Sequence, residues 1–302
     1  MDPSNTTLAG YLPAYAAGRL TFCAATALQY AIAVHSLDLH VGHPVLLSEL
    51  SAPLVVGWLR SLLAIGRSAS TVKSKRQAVV TCWRAAAEEG IAPPVPKIPK
   101  PQVPDKLPIV WTVEEVNRIW RMVDGLPGYW GDVPIWLAWR IGLGCVWDSG
   151  CRLSEMLRAR CEHVWADKGW WFVPSCNRKG QTRDRLYKLS PDTLGWIRQS
   201  LPSEREVLFP FPWQPRQVWD HYRRILQAAG LPCDRTRMFH CVRRTVESLA
   251  AAEKGTAWAA ACIGHTEAVA RRHYISPMVA PGPSLVDVLP RPSTPQSRLR
   301  VI

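Results

Sequence analysis

The chain is 302 residues long, 47% hydrophobic and 20% charged, with a formal net charge of +13 and an isoelectric point near 9.6. That balance excludes a disordered polyelectrolyte, because enough apolar side chain is present to bury the cores of two ordinary domains. It also excludes an ordinary membrane helix: the most apolar run, Ile135 to Trp147, is interrupted by Arg140 and falls short of the roughly 18 to 20 residues a bilayer needs. The opening MDPSNTTLAG lacks the basic, apolar and small-residue order of a signal peptide. Nine cysteines, an odd number with no C-x-x-C spacing, read as reduced thiols, so the cytoplasm is the expected compartment. A field of this sign concentrates polyanions at the surface, and charge alone leaves DNA and RNA both open as partners.

Residues 1–92 are rich in alanine and leucine with helical rather than alternating periodicity, which predicts a small helical bundle. Its most informative helix starts near Ser70 and runs through TVKSKRQAVVTCWRAAAEEG, with Gly90 ending it. Val72, Val79, Val80 and Trp83 form its apolar stripe; Lys73, Lys75 and Arg76 fall off that stripe, on a face suited to a DNA groove or simply to water. His35, His40 and His43 lack the cysteines or carboxylates of a zinc site, read as surface, and imply no metal. The stretch PPVPKIPKPQVPDKLP, Pro93 to Pro108, forbids helix and favours an extended, semi-stiff connector.

Beyond the connector, Thr112 and Glu115 make a capping box and Trp111 with Val116 a hydrophobic staple, opening a helix of about a dozen residues. A second apolar helix is expected from Val133 to Trp147, before a turn at Asp148-Ser149-Gly150. Trp170 to Pro174 and Arg185 to Leu189 read as two strands of a hairpin about the turn Asn177-Arg178-Lys179-Gly180, and Ser190-Pro191 starts another helix. From Pro281 the chain is proline-rich and reads as a flexible tail, in which Leu285, Val286, Val288 and Leu289 make a patch able to dock on a neighbour. The expected class is therefore mainly α with a small antiparallel β-sheet.

Metal-free phosphodiester cleavage needs fixed cations around the phosphate oxygens, a nucleophile that loses a proton, and an acid for the departing sugar oxygen. Arginine suits the first task, because its planar fork binds two oxygens and stays charged. Five segments offer these parts in order: Asp148-Ser149-Gly150-Cys151-Arg152-Leu153-Ser154-Glu155; Arg178-Lys179-Gly180-Gln181; Phe239-His240-Cys241-Val242-Arg243-Arg244-Thr245; Ile263-Gly264-His265; and Arg271-Arg272-His273-Tyr274. In the third, His-x-x-Arg spacing places His240 and Arg243 on one helix face. Singly the segments are weak. Arg152 also suits a structural ion pair with Glu155, either histidine a satisfied buried ring, and Tyr274 a core aromatic. His221-Tyr222-Arg223-Arg224 repeats the His-x-x-Arg spacing and reads as an ordinary helix surface.

The order Arg, Lys, His-x-x-Arg, Gly-His, Tyr resembles the tyrosine recombinases, the phage-integrase family. CRLSEMLRARCEHV is similar to that family's first arginine box, HCVRRTVESLAA to its second, and IGHTEAVARRHYI to its closing box; the likeness covers Trp111 to about Pro277. It implies a helical, SAM-like core-binding domain over 1–92, a linker over 93–110, a mixed α/β catalytic domain over 111–280 and a tail over 281–302. It implies that Tyr274 attacks the phosphate, that Arg152 and Arg243 clamp its oxygens, and that Lys179 protonates the leaving 5′-oxygen. His240 accepts the tyrosine proton and His265 donates to the phosphate. Lys188, Arg178 and Arg183 are alternatives to Lys179 on the same hairpin. Double-stranded DNA is the implied partner, bound by a homotetramer and contacted by Lys73, Lys75, Arg76, Arg178 and Arg183, with neither ATP nor a metal as cofactor and a nucleoid-associated place in the cytoplasm. A type IB topoisomerase shares the catalytic set, and a catalytically silent DNA-binding protein shares the charge. The short chain and helical first domain favour the recombinase.

Overall fold

Ser68 marks how the first helices are made: its hydroxyl accepts the amide of Thr71 and its backbone is extended, so helix starts at the next residue. In the computed structural model, residues 5–178, 183–201, 205–211 and 215–282 are described. The chain divides into two compact units, Met1–Asp105 and Lys106–Ile302.

The first unit holds α1 (Leu8–Ala17), α2 (Ala24–Val41), α3 (Ala52–Ala64) and α4 (Ala69–Glu88). The last of these begins one residue before Ser70, because Ser68 has the side-chain reach and extended backbone of a cap while Ser70 is already helical. Val72, Val79, Val80 and Trp83 are buried against Tyr11, Leu37 and Trp58. Burial of such a stripe, with two tryptophans, is what holds the bundle.

Arg76 corrects the sequence reading. It is 7% exposed, and its guanidinium donates to the carbonyls of Ile98 (2.6 Å) and Pro99 (2.9 Å). The proline-rich segment has no N–H partners of its own to offer those carbonyls, so Arg76 is taken up inside the unit instead of facing DNA. Trp83 Nε1 donates to Pro93 O, and Ile98 is buried in the same core. The connector is free of helix and strand, as its prolines require, yet its first part is packed. Lys75 is half-buried and donates to Ile32 O, burial lowering its pKa, and Lys73 is exposed.

The second unit begins with α5 (Val113–Asp124), where Thr112 and Glu115 close their reciprocal capping box. A two-residue pair follows, β1 (Tyr129–Trp130) against β2 (Val133–Pro134), so Val133 is strand and α6 (Ile135–Ser149) starts after Pro134. This second sheet was unexpected; Gly131, with φ +61°, makes the tight turn that lets Trp130 face Val133. Then come α7 (Leu153–Leu157), the antiparallel sheet β3 (Val164–Trp165), β4 (Trp170–Val173) and β5 (Arg185–Lys188), and α8 (Pro191–Ser200). Four helices finish the unit: α9 (Pro215–Ala228), α10 (Phe239–Lys254), α11 (Thr256–Ile263) and α12 (Glu267–His273). The class is mainly α with small antiparallel sheet, as read.

Helix α6 is buried from Leu137 to Val146 except at Arg140 and forms the axis of this unit. His221 and Tyr222 correct a second reading. Trp139 Nε1 donates to His221 Nδ1 (2.9 Å) with the rings stacked, and Tyr222 is wholly buried, so this His-x-x-Arg copy packs the core. Their aromatic area is worth more against Trp139 than in water. Among the described residues no helix is long and apolar enough to cross a membrane.

Replacing Arg76 by Ala orphans two carbonyls and is expected to destabilise the full chain by about 1–3 kcal/mol. Lys73→Ala is expected to stay within about 0.5 kcal/mol of wild type, both read from urea midpoints.

Candidate active site

Helix α10 supplies the centre of the site. His240 and Arg243 lie one turn apart on it, and Arg243 is only 1% exposed. One guanidinium nitrogen, Nη1, donates to Gly150 O; among the described residues Nε and Nη2 are buried without a hydrogen-bond partner. A cation in that state is a ready seat for an anion with two oxygens to offer.

Gly150 presents its carbonyl because it ends α6 in the left-handed region, φ +60°. A Cβ there would lie 2.8 Å from Ile263 Cδ1, so the first arginine box and the Gly-His box meet where only glycine fits. Arg152 follows as the N-cap of α7. Its amide and Nη1 donate to the two oxygens of Glu155, at 2.8 and 2.9 Å, and Glu155 is 1% exposed. The ion pair considered from sequence is therefore present, while the Arg152 side chain keeps 21% of its surface open. Asp148 Oδ2 accepts the amide and hydroxyl of Ser190, tying the end of α6 to α8.

The closing box is held from both sides. Gly264, φ +90°, ends α11 beneath the Arg185 guanidinium of β5, which donates to Ala261 O. Thr266 caps α12, and Tyr274 follows that helix. Ser248 of α10 donates to Tyr274 O (3.2 Å) and accepts Ser276 N (2.9 Å), which pins the tyrosine's backbone to the helix bearing Arg243.

Around the half-buried Tyr274 ring stand His265, stacked at 4.7 Å with a 21° interplanar angle, His240 at 6.0 Å, and the Arg243 guanidinium carbon at 5.1 Å. A cleft of roughly 290 Å³ opens there, lined by Lys106, Thr236, His240, Arg244, Arg272 and Tyr274. His240 is held down at about 4, first by burial and then by the charges of Arg243, Arg244 and Arg152. Its ring is neutral at neutral pH.

The structure thus brings Arg152, His240, Arg243, His265 and Tyr274 together. Lys179 lies outside the described residues, as do Leu285, Val286, Val288 and Leu289 of the tail. Arg178 turns inward: its side chain is 9% exposed, its Nε is 3.6 Å from Glu155 Oε1, and Nη1 donates to Arg183 O. Arg183 and Lys188 are exposed, and Lys73, Lys75 and Arg76 belong to the first unit. His40 shares a hydrogen bond with Ser61, and among the described residues no three His, Cys, Asp or Glu side chains group to hold a metal ion. Two residues escaped the sequence reading, Glu247 and Ser248. Both are wholly buried on α10, and the available signal was an acid one turn beyond Arg243 on the same helix face.

No protein-family model matches the chain, and no curated protein matches it. Solved structures do. A lambda integrase dimer bound to a COC′ core site matches at 16% identity over 86% of this chain and 74% of that one, with a TM-score of 0.65. The Tn1549 transposon integrase in complex with circular intermediate DNA matches at 12% identity over 90% and 96%, with a TM-score of 0.68. The XerH site-specific recombinase bound to a palindromic difH substrate matches at 15% identity over 81% and 74%, with a TM-score of 0.64. At these identities the likeness establishes the fold: the chain has the tyrosine-recombinase fold.

Because His240 is depressed in the folded chain, the unfolded chain takes up a proton near pH 6.5 that the folded one declines until about 4. The stabilisation is fully present above pH 6.5 and is lost as pH falls toward 4, up to roughly 3 kcal/mol. His240→Asn should flatten that part of the profile relative to wild type in urea unfolding at stepped pH; parallel curves would rule the assignment out.

Proposed function

We propose that the chain is a site-specific DNA recombinase or integrase that cleaves and rejoins strands through a 3′-phosphotyrosyl bond at Tyr274. The observation that carries the reading is the buried Arg243 with open donors on Nε and Nη2 beside the Tyr274 ring. Among the described residues nothing completes that guanidinium, and a phosphodiester has the charge and the paired oxygens to do so.

In the proposed reaction the Tyr274 hydroxyl oxygen attacks the phosphorus in line. A phosphorus–tyrosine bond forms, the bond to the 5′-oxygen breaks, and that oxygen leaves with a proton from Lys179. Arg243 and Arg152 hold the non-bridging oxygens. His240 accepts the phenolic proton; as a neutral ring it is competent to do so, and the arriving phosphate offsets the arginine charges that depress it. A 5′-hydroxyl from a partner strand reverses the step, so the bond energy is kept and no nucleotide cofactor is needed. The fixed guanidinium charges take the place a metal ion fills in other phosphoryl-transfer sites.

DNA is the proposed partner. Lambda integrase occurs as a tetramer bound to a Holliday junction, and a tetrameric synapse of this chain on double-stranded DNA follows as part of the proposal. So does a cytoplasmic, nucleoid-associated place of action. Lys106, Arg244 and Arg272 rim the cleft and serve the flanking phosphates. Lys73 and Lys75, with exposed or half-exposed ammonium groups, remain the candidates in the first unit.

The decisive experiment traps the covalent adduct on nicked duplex DNA, with genomic fragments supplying unknown sites, on a denaturing gel. Wild type is expected to give a denaturation-resistant adduct that Tyr274→Phe abolishes; an adduct persisting in the Phe variant moves the nucleophile elsewhere. Arg243→Gln is expected to slow single-turnover cleavage by ~10²–10³-fold. Adduct yield should be the same within about twofold in EDTA and in Mg²⁺, and a strict requirement for the metal would overturn the mechanism.

A further inference from the structure

Glu247 has no part in the reaction as set out above, yet it is wholly buried within the site. It lies four residues beyond Arg243, its Oε1 is 2.5 Å from His265 Nε2, and the His265 side chain is 8% exposed. Among the described residues Glu247 Oε2 and His265 Nδ1 are both buried without a hydrogen-bond partner. A carboxylate buried to this degree is costly unless its partner is well placed, so a merely tolerated acid would be a poor occupant of this position.

An ionised carboxylate accepts and does not donate, so the short contact puts a proton on Nε2. That choice settles the ring. With Nε2 turned to α10, the imidazole plane is held against the Tyr274 ring, 4.7 Å away with a 21° interplanar angle. The other ionisable groups around the pair are His240 and Arg243 on α10, Tyr274 across the ring face, and Arg185 of β5 against the adjoining Gly264. Among the described residues Glu247 alone hydrogen-bonds His265 Nε2.

We propose that Glu247 is a positioning residue that fixes the tautomer and plane of His265 and so holds its ring against Tyr274. The arrangement parallels the way a carboxylate orients a catalytic imidazole in acyl transfer. The proposal rests on the recombinase reading for its consequence in catalysis, but its structural half stands apart from that reading.

Two measurements on the full chain separate the halves. The first needs no DNA: ¹⁵N-histidine spectra, with the His265 signals assigned by their loss in His265→Gln. Wild type is expected to show Nε2 protonated and Nδ1 bare or hydrogen-bonded, and Glu247→Ala to lose that bias; an unchanged His265 spectrum in Glu247→Ala overturns the proposal. The second is single-turnover adduct formation. Glu247→Ala is expected to slow it ~10–100-fold with DNA affinity within about twofold, and Glu247→Gln, whose amide oxygen still accepts, to recover about tenfold of that loss. In the His265→Gln background Glu247→Ala is expected to add nothing; a further loss of the same size there would mean that Glu247 acts through the fold and not through His265. If wild type gives no Tyr274-dependent adduct, the functional reading falls while the spectra still decide the pairing.

Discussion

A guanidinium that is 1% exposed has given up its water, and its five donors and its charge must be met from inside the protein. At Arg243 the described residues meet only part of that demand. Gly150 supplies one carbonyl, available because α6 ends in a left-handed residue whose oxygen has no helical partner. The demand left over is what shapes the site: a buried cation, a tyrosine ring against it, and a cleft that His240 and Tyr274 line.

Packing cations this closely requires offsets, and the structure places two. Glu155 receives both the backbone and the side chain of Arg152, and Glu247 receives His265. Both acids are wholly buried; Glu155 lies three residues beyond Arg152, and Glu247 reaches His265 from α10. His240 has no such offset. Burial and the same arginines keep its ring neutral, so adjacent histidines are put to different uses by their surroundings.

Backbone geometry makes the convergence possible. Gly150 and Gly264 both adopt positive φ, and at each a side chain from another element, Ile263 or Arg185, occupies the space a Cβ would need. Ser248 then joins α10 to Tyr274 and Ser276, the residues on either side of Ile275. Three separate boxes of sequence are thus locked to one helix, which holds nucleophile and cations in a fixed relation before any substrate arrives.

The sequence by itself determined the local pieces. The Thr112 capping box, the Ser190-Pro191 helix start, the hairpin of bulky residues and the His-x-x-Arg face of α10 are set by short-range chemistry, and each is where that chemistry puts it. The ordered cations and the tyrosine were legible because residue type and order carry chemistry whatever the fold. Tertiary structure decided which basic residues spend their charge internally: Arg76 on two connector carbonyls, Arg178 toward Glu155, while Lys73 stays in water. It also decided that His221 packs on Trp139 although His240, at the same local spacing, joins the site, and that Glu247 is a partner of His265 eighteen residues away. Hydrogen-bond partners and desolvation are properties of the neighbours that folding brings in, and nothing within one helical turn of a residue specifies them.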